Sequence, residues 1–412
     1  MLDLNKFEQR VNRYGGSEEK RTYYKNGQFF LVKIPDKIRE KNNTLSYMNN
    51  SFSEYISCHI FESVEIPVQE TDLSILNING TDKVVCVCKD FTDEETTLIE
   101  YCNSENDKIQ NIYTENNQKS KELNIENILD TINNNEKIRN KDKIISSFWD
   151  VFIIDCLIYN RDRHNENWGF MENDKKGEIS FAPVYDCGSA LFALYSEEKC
   201  QNILNNPREF KNLALNSISA MKYDNKKIRY YEFISSMQNE DCNKALLRIF
   251  PKINLNKINS IIDSTPLLSS TYKSFYKEII KNSYELILNP TYNILKSKEH
   301  KLEENIKSDL DDFLDYIEDQ LVNDTNWNFS EFKLREIIDN TIYDCVTEYI
   351  KNLDEDKIVS TLETITKINK YQETQEKFNK GILHEYLTNF VYDNFNIDML
   401  IKNNIKEDEE EE

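Results

Sequence analysis

The sequence predicts an α+β protein: a small β-rich layer, a larger helical body, and an acidic helical extension. Three observations carry this. Two Asn-Gly pairs, Asn26-Gly27 and Asn79-Gly80, each join β-rich runs, the strongest short-range sign of a hairpin. Around residue 143 an apolar stretch begins, IISSFWDVFIIDCLIYN, and helical patterning continues to about 300. Beyond about 301 the pattern stays helical but turns strongly acidic, ending in EDEEEE. The expected division is 1–95, 96–300 and 301–412, with a soft boundary near Lys298 to Lys301.

Taken in chain order, TYYKNGQFFLVKIP is the first hairpin. NSFSEYISCHIFESV follows as a helix, because Ile56, Ile60 and Val64 recur every four residues. Ser51 and Glu54 make an S-x-x-E capping box at its start. DLSILNINGTDKVVCVCKDF is the second hairpin. Residues 96 to 140 are polar and rich in Asn and Glu, a connection with short helices. After the apolar helix comes the polar stretch NRDRHNENWGF, then a hairpin in WGFMENDKKGEISFAPVYD that turns at Asp174 to Gly177. Residues 190 to about 300 read as largely helical, as in SFYKEIIKNSYELIL.

Composition narrows the function. The chain has 412 residues and a formal net charge of −22, which repels phosphate backbones and argues against direct nucleic-acid binding. No apolar run approaches the ~20 residues that span a bilayer, so no membrane association is expected. The opening MLDLNKFEQR lacks the apolar core of a secretory signal, and the nine Cys show no paired spacing. Free thiols in a reducing cytoplasm are the expectation. Cys86 and Cys88 share one face of a strand. They read as small apolar side chains, since zinc would need two more ligands and the chain has four His.

The chemistry lies in the polar stretch. Asp162 and Asn167 form D-x-x-x-x-N, the spacing of phosphoryl-transfer loops. A carboxylate must take the acceptor's hydroxyl proton, and an amide oxygen a few residues on must hold Mg²⁺ on the phosphate side. Further along, Asp186-Cys187-Gly188 is a D-x-G, a metal-holding carboxylate with a Gly that lets the backbone turn. Lys33 sits mid-strand in FFLVKIP, which is unfavourable unless its charge is paired, by ATP phosphates or by Glu54. Tyr14-Gly15-Gly16-Ser17 could cradle phosphate with backbone N–H groups. His164 would fix the loop beside Asp162. Each has a plainer reading: a helix cap for Glu54, an edge-strand lysine for Lys33, an ordinary turn for Gly15 and Gly16, a loop histidine for His164. It is their order along the chain, each in its expected structural context, that argues for a kinase.

With these residues the sequence resembles the HipA-like Ser/Thr kinases, through GSEEK (16 to 20), FLVKIP (30 to 35), NRDRHNEN (160 to 167) and APVYDCG (182 to 188). The resemblance covers about residues 10 to 300 and implies a two-lobed protein-kinase-like fold with ATP and Mg²⁺ between the lobes. It implies Asp162 as catalytic base, Asn167 and Asp186 as metal ligands, and Lys33 on phosphate. Cys88-Lys89-Asp90-Phe91 would be the hinge whose backbone holds adenine, with Phe91 packing near it; Tyr185 joins the nucleotide-binding residues. Ser17 is the nearest counterpart of a serine that the HipA toxins autophosphorylate. The substrate would be a protein with a Ser/Thr acceptor. The extra N-terminal subdomain of the full-length HipA toxins is missing, so the chain looks like a short, stand-alone relative and an antitoxin partner is left open. A partner for the acidic C-terminal helices is also open. DRHNEN is similar as well to the loop of phosphatidylinositol 3- and 4-kinases, which would make the acceptor a lipid or small molecule. A nucleotide-binding pseudokinase scaffold is the remaining alternative.

Overall fold

The computed structural model describes residues 1–298, apart from 14–18, 36–48, 105–122, 136, 174 and 176. The chain divides into two compact units, Met1–Leu295 and Lys296–Glu412. The acidic extension at 301–412 and the glycine turn of Gly15, Gly16 and Ser17 lie outside the described residues.

The first unit opens with an antiparallel sheet of order β1-β2-β3-β5-β4. Its strands are β1 (Glu8–Arg10), β2 (Lys20–Lys25), β3 (Gln28–Lys33), β4 (Thr71–Ile78) and β5 (Thr81–Lys89). Both Asn-Gly pairs close hairpins with positive φ at each residue: 50° and 84° at Asn26 and Gly27, 52° and 82° at Asn79 and Gly80. A two-residue turn matching the right-handed strand twist needs that backbone, and Asn and Gly tolerate it best. Side chains alternate along the strands. Val32, Ile34, Val85 and Val87 pack with Leu4 and Phe7 on one face, and Leu31, Cys86 and Cys88 are buried on another. Cys86 and Cys88 bring their sulfurs to 3.8 Å, the small apolar pair expected of them.

Helix α1 (Asn50–Ser63) lies between the hairpins. The expected capping box does not form. The N-cap is Asn49, without a side-chain cap bond, and Ser51 and Glu54 lie inside the helix, 2% and 0% exposed. The Glu54 carboxylate is drawn to Lys33 of β3 instead, a stronger claim than a neutral backbone N–H.

After the sheet come β6 (Thr96–Glu100), a short α2 (Tyr101–Ser104), β7 (Leu123–Asn124), α3 (Ile125–Asn134) and α4 (Lys141–Leu157). Helix α4 is the apolar helix read from the sequence, and it is buried almost all round, with Phe148, Trp149, Phe152, Ile153 and Ile154 at 2% exposure or less. Strands β8 (Gly169–Asn173) and β9 (Glu178–Phe181) form the expected hairpin, and β8 pairs with β6 on its other side. The rest is helical except for one hairpin the sequence reading missed, β10 (Ile218–Tyr223) and β11 (Lys226–Arg229). Its turn, Asp224-Asn225, has φ of 50° and 58° and does the work of an Asn-Gly without the glycine. β10 also pairs with β7 in parallel.

Two segments bind the sheet layer to the helical body. Val68 and Val184 form a parallel bridge, with Gln69 N donating to Val184 O and Val184 N to Pro67 O, both at 2.8 Å. Val184 lies two residues before Asp186, so the D-x-G segment is fixed to the connection between α1 and β4.

Candidate active site

Lys33 ends β3 on the face of Cys86, its partner in register on β5. Its Nζ lies 3.1 Å from Glu54 Oε2 and 3.0 Å from Asp186 Oδ1. Lys33 is 6% exposed and Glu54 1%, while Asp186 keeps 31% of its side chain open. One cation thus joins α1, β3 and the D-x-G. Burying a charge is costly unless it is paired, so a deeply placed ammonium between two carboxylates marks a position that something other than stability maintains. Burial pushes the Asp186 carboxyl up, but Lys33 beside it, with Lys20 and Arg163, more than offsets this and holds it below the usual carboxylate range. That direction favours the ionised carboxylate at Asp186, the form able to hold a cation.

The backbone of the D-x-G corrects the sequence reading. Gly188 was expected to let the chain turn, but the positive φ, 57°, falls on Asp186 itself. Gly188 sits in a tight place: a Cβ there would come 3.3 Å from Glu54 Oε2 and 3.5 Å from Asn50 Cβ, so the carboxylate would have to give by a few tenths of an ångström. Gly188→Ala is expected to press the Glu54 carboxylate out of line with Lys33 by a few tenths of an ångström, to cost about 1 kcal/mol and to slow phosphoryl transfer; denaturant unfolding and a labelling assay check both.

The loop after α4 is held by its own backbone. Asp162 N donates to Asn160 Oδ1 at 3.1 Å, and the Asn167 side-chain nitrogen donates to Asp162 O at 2.7 Å. That leaves the Asn167 amide oxygen for a cation. His164 lies within the loop beside Asp162: its Nδ1 accepts from Glu166 N at 3.2 Å, and its Nε2 lies 3.9 Å from Asp162 Oδ1. The Asp162 carboxylate, 49% exposed, accepts the Ser189 hydroxyl at 3.0 Å.

The organising residue of the site is one that sequence reasoning missed. Arg163 is fully buried, and its Nε and Nη2 bind Asp155 of α4, each at 2.9 Å. Its Nη1 donates to Asn167 O at 2.8 Å and to Tyr185 O at 2.6 Å. A single guanidinium therefore ties the Asn167 loop to the residue before Asp186. The rigid fork of donors makes Arg the residue for such a joint. The signal was present: Asp155 is a carboxylate inside an apolar helix, and it needed a buried partner.

The expected hinge needs adjustment. Cys88 pairs with Leu31 on one side and Thr71 on the other. Lys89 N donates to Glu70 O, and Lys89 O accepts from the Gln69 side chain; Asp90 N donates to Phe29 O, and Asp90 O accepts from Gln28. The Lys89 side chain binds Glu70 at the surface. Because β5 runs as a central strand, these backbone groups are occupied inside the protein. Among the described residues, the Phe91 backbone N–H and C=O have no protein partner. The Phe91 ring lies 5.9 Å from that of Tyr185, whose hydroxyl donates to Glu166 O and is pushed up in pKa by burial.

Lys33, Glu54 and Asp186 meet in one cluster, and Asp162 and Asn167 join them through Arg163 and Ser189. A β-rich lobe carrying a Lys–Glu pair, over a helical lobe carrying D-x-x-x-x-N and D-x-G, defines a kinase. Residues 12–263 match the HipA-like C-terminal domain model. The chain is 36% identical over 291 residues to the serine/threonine-protein kinase CtkA of Helicobacter pylori, covering 70% of this chain and 86% of that protein. It also superimposes on a crystal structure of a Helicobacter pylori proinflammatory kinase CtkA, with a TM-score of 0.59 and 35% identity over 68% of this chain and 94% of that one. The chain belongs to the HipA-like C-terminal domain family, as the sequence resemblance implied. No helix among the described residues is long and apolar enough to cross a membrane.

Proposed function

We propose that this chain is an ATP- and Mg²⁺-dependent kinase that transfers the γ-phosphate to Ser or Thr of a protein, itself included. The observation that carries the reading is the placement of Lys33 within about 3 Å of both Glu54 and Asp186, in a chain similar to a serine/threonine-protein kinase. Asp186 and the Asn167 amide oxygen are hard oxygen donors held in adjoining segments by Arg163. That set suits Mg²⁺, which takes one or two protein oxygens and completes its shell with phosphate and water. When bound, Mg²⁺ would neutralise charge on the departing phosphate.

The other roles follow from position. Lys33 sets a positive charge where phosphate charge develops, with Glu54 holding the ammonium in line. Asp162 takes the acceptor's proton. The Phe91 backbone serves adenine, with Tyr185 and the Phe91 ring nearby, while Cys88 and Lys89 shape the strand that delivers it. Gly15, Gly16 and Ser17 would cover the phosphates. A cytoplasmic setting suits the free thiols.

The test is transfer of radiolabelled γ-phosphate from Mg-ATP to the protein itself and to dephosphorylated casein. Wild type labels at least one of them, and Lys33→Met lowers the rate by about 10²–10³-fold, the usual loss for one donor to developing charge. Labelling of Lys33→Met at the wild-type rate refutes the assignment.

A further inference from the structure

We propose that Ser189 is an intramolecular phosphoacceptor, a site the kinase modifies on itself; this rests on the phosphotransfer reading above. Its hydroxyl donates to Asp162 Oδ2 at 3.0 Å. That is the contact an acceptor hydroxyl has to make before a general base can take its proton. Ser189 therefore stands where a substrate's serine would have to stand.

The surrounding structure holds it there. Ser189 follows Asp186 by three positions, in DCGS. On one side Gly188 is packed closely against Glu54 and Asn50, where a Cβ would come within 3.3 Å of Glu54 Oε2. The buried Ser53 hydroxyl bonds the carbonyls of both Cys187 and Ala190, at 2.9 Å each, and Ala190 N closes a turn onto Cys187 O. Ser189 is thus the exposed residue at the tip of a pinned turn, with its side chain directed at the base. Ser53 offers the contrast: its hydroxyl is fully buried and engaged with backbone carbonyls.

In the reaction, Ser189 Oγ forms a bond to the γ-phosphorus of ATP and passes its proton to the Asp162 carboxylate. The bond from that phosphorus to the β–γ bridging oxygen breaks, and ADP leaves with the electron pair. The product places a phosphate of about −1.5 to −2 charge beside Asp162, where it repels the carboxylate and blocks the approach of another hydroxyl. Self-modification would therefore switch the enzyme off towards other acceptors.

The experiment incubates the full chain with Mg-ATP, with and without dephosphorylated casein, and maps phosphopeptides by mass spectrometry. The expected result is a gain of about 80 Da, one phosphoryl group, on the peptide holding Ser189. Its first-order rate constant is unchanged on dilution, it is absent in Asp162→Asn, and casein labelling falls as Ser189 fills. Ser189→Thr keeps a phosphate at the same position and Ser189→Ala has none. Casein labelled while the Ser189 peptide stays unmodified overturns the inference and leaves the kinase reading standing. A modification rate that rises with protein concentration also overturns it, since the transfer is then between molecules. No transfer to casein or to the chain sinks the kinase reading and this inference together.

Discussion

Asp162→Asn lowers γ-phosphate transfer by about 10²–10⁴-fold, the range for losing a positioned general base, while Mg-ATP still stabilises the protein in a thermal-shift assay. The separation follows from the geometry. The loop is organised through main-chain atoms of Asp162: its N–H goes to Asn160, and its carbonyl accepts from Asn167 and from His164 N. An amide in place of the carboxylate leaves these bonds intact. The side chain is 49% exposed, its contact with His164 Nε2 is a long 3.9 Å, and an amide oxygen can still accept from Ser189, so the substitution costs within about 0.5 kcal/mol of stability, as other surface changes do. What disappears is the proposed proton acceptor. Asp186→Asn behaves differently: it removes the charge on the metal side and leaves Lys33 with one carboxylate, so both transfer and the Mg-ATP thermal shift fall. An Asp162→Asn rate within threefold of wild type assigns the base elsewhere.

Arg163→Ala is expected to destabilise the protein by about 3–5 kcal/mol, because it leaves the buried Asp155 carboxylate without its counter-charge. For a domain whose whole stability is about 5–15 kcal/mol, that brings it near unfolding at room temperature. Urea denaturation, read as a lower midpoint at unchanged slope, measures the loss. A paired replacement separates structure from catalysis. Asp155→Leu with Arg163→Met removes both buried charges and recovers much of the stability. Transfer stays low, because the bonds from Arg163 to Asn167 O and Tyr185 O are gone and the metal-side residues lose their common anchor. Recovery of activity with stability would show that Arg163 serves the core alone.

Much of this was legible in the sequence, for reasons that differ by element. The two Asn-Gly hairpins were plain because their backbone needs positive φ, which few residue types supply. Asp162 and Asp186 stood out through the D-x-x-x-x-N and D-x-G spacings, and Lys33 because a charge in mid-strand needs a partner. Arg163 did not stand out: among the charges of NRDRHNEN nothing local marks which one turns inward, and its partner Asp155 is eight residues back in the preceding helix. The Asp224-Asn225 hairpin was hidden because its turn lacks the glycine that flags the others. Glu54 was misread in part, since capping is a local rule and the claim of Lys33 on it is a long-range one. The reach of Ser189 to Asp162 spans 27 positions and depends on a fold no local rule describes.

The bridge between Val68 and Val184 bears on chemical inhibition. Compounds that work by expelling a metal-holding aspartate from its seat would here have to break both backbone bonds of that bridge and the Lys33 contact at once. Drug-like molecules against this enzyme are better sought among those that settle on the assembled conformation, competing for the Phe91 backbone edge proposed above to serve adenine.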